Sequence, residues 1–164
     1  MTGQAERPPF RSQQQITINA PLKAVWAFAS DLTKIAEFHP RVDKVDLLDR
    51  TRFRAPGVSY QCHLSGGKHR CIEKDTEIVP GKKIVTVLPQ DTFGISKILN
   101  DYTVETTFEA LGNFSTKVAI SHYYSTGSLL ARLLNVIAKG KIGRDTQAML
   151  NAMKLAIERE QRVL

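Results

Sequence analysis

Two groups of side chains in this sequence have the types and the spacing to do chemistry. The first is Tyr102 and His122, on the two arms of what reads as one hairpin. If Ala110 pairs with Phe114 across its turn, Tyr102 lies directly opposite His122. A phenol and an imidazole at the end of an apolar surface can orient a carbonyl oxygen or shuttle a proton. The second group flanks Gly66-Gly67, a two-residue hairpin signal. That turn sets Cys62 opposite Cys71, and strand alternation puts Tyr60, Leu64, His69 and Glu73 on their face. Cys62 and Cys71 are expected to be reduced, small wall residues. A disulfide between directly opposed strands would be strained. A zinc site of Cys62, Cys71 and His69 lacks a convincing fourth ligand, so no metal is expected. His63 points to the other face. The sequence has no nucleophile elbow, phosphate-binding glycine loop or HExxH motif, and no cofactor is expected.

Composition sets the frame for these groups. At 164 residues, 42 % hydrophobic and 24 % charged, the chain suits one domain with its own core. Residues 1–12 are expected to form a loose tail and 13–164 the domain. The best apolar stretch is interrupted by Arg132, Asn135 and Lys139, so no membrane span is expected. The N-terminal residues lack an apolar core and a cleavage pattern, which points to the cytoplasm. A net charge of +7 favours anionic partners. Its clusters, Lys82-Lys83 and Lys139, Lys141, Arg144, do not interleave with aromatics, so nucleic acid is not an expected partner.

The elements that must position these side chains are readable from period and punctuation. Gln13–Ile18 alternates as a strand. Pro21 opens a helical stripe through Val25, Phe28, Ala29, Leu32 and Ile35. Ser30-Asp31 can cap a second short helix, and His39-Pro40 ends it. Val42–Asp49, Val58–Ser65, Lys68–Val79, Lys82–Leu88, Asp101–Ala110 and Phe114–Tyr124 then read as a meander of strands. Gly127-Ser128 opens one long helix to the C-terminus, in which Gly140 and Gly143 predict a bend or loosened turn. Strands grouped between helices mean an α+β fold, with an antiparallel sheet covered by the long helix.

The opening NAPLKAVWAFASDLTKIAEFHPRVDKVDLL, the glycine Gly57 before a strand and the ending LNAMKLAIERE resemble the START-like, or SRPBCC, superfamily. Its members include polyketide cyclases, lipid-transfer domains and quinone-binding proteins. Phe38 stands where many relatives have tryptophan. The resemblance implies a helix-grip fold, a curved sheet of about seven strands around the C-terminal helix, with an apolar cavity between them. The cavity-facing set is then Tyr60, Cys62, Leu64, His69 and Cys71 from the first hairpin. Tyr102, Val104, Phe108, Val118, Ile120, His122 and Tyr124 come from the last. The helix is expected to add Leu134, Ile137, Met149 and Met153.

Candidates for catalysis are Tyr102, His122, Arg70 and Glu73. Arg70, Glu73 and Lys74 occupy a region where some aromatase/cyclase relatives hold substrate oxygens. The long connection Pro89–Asn100 carries Phe93, Ile95 and Ile98 as an expected gate. With Arg52-Phe53-Arg54 it offers transient contact with a membrane surface. Three functions follow: binding or transport of an apolar small molecule, a polyketide aromatase/cyclase or dehydratase, and an RNA- or ribosome-associated role. Monomer and homodimer are both compatible with exposed edge strands.

Overall fold

The computed structural model describes residues 7–163; the first part of the expected tail lies outside them. Strand β1 (Phe10–Ile18) starts at Phe10, earlier than the alternation predicted. Phe10 packs edge-on against Tyr123, and Arg11 Nε donates to the Tyr124 carbonyl at 2.8 Å. These contacts extend the ladder beyond the polar stretch that alternates.

After β1 come α1 (Leu22–Ser30) and α2 (Ile35–Phe38), joined by a 3-10 turn at Leu32–Lys34. Asp31 divides them: its carboxylate accepts from the Thr33 N–H at 3.0 Å and caps the new turn. Strands β2 (Val42–Leu47), β3 (Ser59–Leu64), β4 (His69–Val79), β5 (Lys83–Asp91), β6 (Asn100–Ala110) and β7 (Thr116–Ser125) follow. They form one seven-stranded antiparallel sheet in the order β1-β7-β6-β5-β4-β3-β2. Cys62 pairs with Cys71 as the hairpin signal required.

The last hairpin differs from expectation. Ala110 pairs with Thr116, because Leu111 N–H bonds to the Ser115 carbonyl and closes a longer turn. Phe114 is thrown outward and exposed. The expected loop after Pro89 is also shorter. β5 continues to Asp91, whose carboxylate accepts from the N–H groups of Ile95 and Ser96 at 2.9 and 2.8 Å. That starts the short helix α3 (Ile95–Ile98).

Helix α4 (Leu129–Gln161) is capped by Ser128 Oγ, which accepts from Ala131 N–H at 3.1 Å. It runs unbroken through Gly140 and Gly143, so the expected loosened turn is absent. Gly143 instead permits close approach: a Cβ there would lie 3.3 Å from Gln14 Nε2 on β1. The second half of α4 supplies Leu150, Met153, Ala156 and Ile157 to the core, against Ile18, Val25, Phe28 and Leu32. The first half leaves most of its large apolar side chains in solvent.

Candidate functional site

Between the sheet and α4 lies a cavity of about 340 Å³, a volume suited to a small molecule. Its walls are mainly apolar. Val104, Thr106 and Phe108 come from alternate positions of β6, and Ile84, Thr86 and Leu88 from alternate positions of β5. Ile35 and Phe38 close one side, and Ile142, Met149 and Met153 of α4 close another.

Polar groups enter this wall at three places. Deepest is Arg54, from the loop between β2 and β3. Its Nη1 donates to Tyr60 Oη at 2.8 Å and to Asp75 Oδ1 at 2.7 Å, and its Nε donates to the Ala29 carbonyl at 3.1 Å. Tyr60 Oη donates to Glu73 Oε2 at 2.7 Å, and Thr86 Oγ1 donates to Asp75 Oδ1 at 2.8 Å. Asp75 is fully buried, and its Oδ2 has no partner among the described residues. Burial pushes the Asp75 carboxyl up against the opposing pull of Arg54 and Thr86. Burial also opposes the Arg54 charge, but Tyr60, Asp75 and Glu73 outweigh it and raise the guanidinium pKa. With that cation at hydrogen-bond distance the ion pair holds at neutral pH.

Beside this network, Cys62 and Cys71 each place Sγ 4.0 Å from Glu73 Oε1. The three donor atoms lie within 4.8 Å of one another. Glu73, rather than His69, is therefore the third donor that a thiophilic ion would meet here. A hydrogen bond with Cys71 and burial both push the Cys62 thiol up. The surroundings thus keep the Cys62 thiol protonated.

The second polar place is a relay. Tyr102 Oη and His122 Nδ1 are 2.8 Å apart, and His122 Nε2 and Thr146 Oγ1 of α4 are 2.8 Å apart. Burial lowers the His122 pKa to about 4 and raises that of Tyr102. At neutral pH the relay therefore holds a neutral imidazole between two hydroxyls, each able to donate or accept. The third place is at the surface, where Arg41 and Lys141 pair with Asp145 at 3.2 and 3.0 Å. His39 lines the wall beside them, and its Nδ1 accepts from the Arg41 N–H at 3.3 Å. Phe93 and Ile95 border the same cavity.

The structure brings many of the anticipated residues together. Tyr60, Leu64, Cys71, Glu73, Tyr102, Val104, Phe108, Ile120, His122, Met149 and Met153 line the cavity, with Phe93 and Ile95. Others lie elsewhere. Cys62 and Val118 are fully buried in the core rather than on the wall. Tyr124 is also buried; its ring stacks on Tyr102 at 5.6 Å and its hydroxyl donates to Asn135 Oδ1. His69 is exposed at the end of β4, edge-on to Phe93. Arg70 alternates to the outer side, in a groove with Gln61 and Thr92. Ile98 and Ile137 are exposed, and Leu134 is half-buried off the wall. Arg54, expected at the surface with Arg52 and Phe53, turns inward, while Arg52 pairs with Asp31 at 2.6 Å.

Sequence reasoning missed Arg54, Thr86, Thr106 and Thr146. Thr106 and Thr86 were accessible from alternation along β6 and β5. Thr146 follows from its spacing with Ile142, Met149 and Met153 on one helix face. Arg54 sits in a loop, where no period reports direction.

Comparison with known proteins places this geometry. The sequence profile of the family described as polyketide cyclase/dehydrase and lipid transport matches residues 9–158. Among curated proteins none matches the sequence significantly. Solved structures share the fold at low identity. A START superfamily protein from Mycobacterium smegmatis superposes with a TM-score of 0.72 at 13 % identity, covering 92 % of this chain and 99 % of that one. The Zhui aromatase/cyclase from Streptomyces sp. R1128 gives 0.69 at 19 % identity, over 90 % and 93 %. The di-domain ARO/CYC BexL from the BE-7585A biosynthetic pathway gives 0.73 at 14 % identity, over 90 % of this chain and 46 % of that one.

Proposed function

Because this chain belongs to the polyketide cyclase/dehydrase and lipid transport family, we propose that it takes up an apolar small molecule in the cavity between sheet and α4. The observation that carries this reading is the cavity itself: apolar walls, with hydrogen-bonding groups confined to separate places. Such a site binds through burial and orients through a few polar contacts. A lipid, a quinone or a polyketide-like molecule fits that description. The RNA- or ribosome-associated reading has no support in the family or in these neighbours. We place its action in the cytoplasm, as a monomer or homodimer. Among the described residues no helix is long and apolar enough to cross a membrane.

Native mass spectrometry of the protein isolated from its host tests the reading. The expected result is a bound apolar molecule, absent from a variant in which Thr106→Trp fills the cavity. Protein that carries nothing, and takes up no neutral apolar fluorophore, would remove it.

A second reading is favoured by the Tyr102–His122–Thr146 relay. In an aldol cyclisation of a poly-β-carbonyl chain, neutral His122 would take a proton from a carbon between two carbonyls. The new bond forms from that carbon to a second carbonyl carbon, whose oxygen is protonated in turn. Tyr102, held protonated, would donate a hydrogen bond to the carbonyl oxygen. Loss of water from the product then completes a dehydration. Turnover of such a chain by wild type, abolished in His122→Gln, separates this reading from simple carriage.

A further inference from the structure

The first half of α4 has two faces that its contacts set apart. Asn135 accepts the Tyr124 hydroxyl, and Ala138 and Ile142 line the cavity, so this side is turned inward. On the opposite side Leu129, Leu130, Leu133, Val136 and Ile137 are between 65 and 82 % exposed. At 3.6 residues per turn these five project within an arc of roughly 120°. Arg132 and Lys139 flank one edge of that arc, with Arg144 a turn further on; Lys141, at the other edge, belongs to the cavity rim and pairs with Asp145. Between Leu129 and Arg144 there is no acidic residue.

A row of large apolar side chains standing in water is unfavourable unless a partner covers it. The flanking charges say which kind. A second copy of this face would bring Arg132, Lys139 and Arg144 together with their own copies, and repulsion disfavours that pairing. A helix with an apolar stripe edged by Lys and Arg fits the boundary between lipid headgroups and acyl chains. Anionic headgroups then complement the cations, within a chain of net charge +7.

We propose that the outward face of the first half of α4 docks on an anionic lipid surface, with Leu130, Leu133 and Ile137 inserted and Arg132 and Lys139 on the headgroups. This surface is distinct from the cavity wall, and the proposal does not rest on what fills the cavity. It is a different surface from the Pro89–Asn100 connection and Arg52-Phe53-Arg54.

Co-sedimentation of the full chain with vesicles tests it. The two vesicle types are equal parts phosphatidylglycerol and phosphatidylcholine, and phosphatidylcholine alone. Binding is expected to the first, weakened by salt. Leu133→Asp with Ile137→Asp is expected to lower it roughly tenfold or more. Arg132→Gln and Lys139→Gln should each lower it roughly fivefold and flatten the salt dependence. All these positions are exposed, so circular dichroism and the thermal midpoint should not change, and the glutamine variants keep the test alive if the aspartates disturb the helix. Uptake of a neutral apolar fluorophore by the same variants, expected unchanged, separates failure of docking from failure of the cavity. Three outcomes overturn the proposal: equal binding to both vesicles, wild-type binding by the aspartate variant, or a wild-type dimer that this variant dissociates.

Discussion

Tyr102 and His122 meet diagonally across β6 and β7. The ladder pairs His122 with Val104, yet the Tyr102 hydroxyl reaches Nδ1 at 2.8 Å. Tyr102 leans along the strand with its ring stacked on Tyr124, which fixes the hydroxyl over the imidazole. His122 is thus held from both sides, by a strand neighbour and by Thr146 of α4.

The His122 relay makes stability depend on pH. The folded pKa, about 4, lies below the ordinary value of 6.5, so below that value the unfolded chain binds more protons. The contribution is complete above pH 6.5 and is lost as pH falls towards 4. Between pH 6.5 and 5 the group accounts for about 1.5 kcal/mol. Urea midpoints across this interval should fall in wild type and fall much less in His122→Gln.

Removing the Arg54 guanidinium leaves Asp75 and Glu73 inside without their cation. Arg54→Met should destabilise the fold by about 3–5 kcal/mol. Arg54→Lys should recover less than half of that, because an ammonium cannot reproduce the fork that joins Tyr60, Asp75 and Ala29. Denaturant titration of the two variants checks both figures.

Gly140 and Gly143 should respond differently to alanine. At Gly140 a Cβ meets only Arg144 Nη1, at 3.6 Å, so Gly140→Ala should stabilise by about 1 kcal/mol. At Gly143 the Cβ crowds Gln14, whose Oε1 is already buried without a partner. Gly143→Ala should therefore gain less or lose stability. Thermal midpoints of the pair read the difference.

Both cysteines are buried, and the Cys62 thiol is pushed up. Reaction with a disulfide reagent at pH 8 should be roughly a hundredfold slower than for free cysteine, and complete only on unfolding. Chelator should leave the thermal midpoint unchanged. A drop after chelation would instead mean that Cys62, Cys71 and Glu73 hold an ion.

Period made the strands legible, and parity protected one error. The last hairpin turns later than expected, moving each partner by two positions. Two positions preserve the face of a strand, so Tyr102 and His122 still met. The Gly66-Gly67 turn left no such freedom, and Cys62 faced Cys71 directly. Helical period identified α4 but not which apolar stripe faces in. Leu134 and Ile137 are expected on the cavity wall, whereas Ala138 lines it and Asn135 meets the buried Tyr124 hydroxyl. The sequence carries two apolar sides along this stretch, and only packing against Tyr124 chooses between them. Arg54 was invisible for a different reason: its inward path depends on Asp75, Tyr60 and Ala29, which come from three other segments.

The ion pairs also give the chamber a direction. At its inner end the wall carries Glu73 and the Arg54 guanidinium, with Asp75 buried behind that cation. At its open end two cations, Arg41 and Lys141, face the single carboxylate of Asp145. A carboxylate or enolate on an elongated guest would meet Arg41 and Lys141 at the entrance. Guests of equal size and greasiness would then be sorted by which end carries the negative charge.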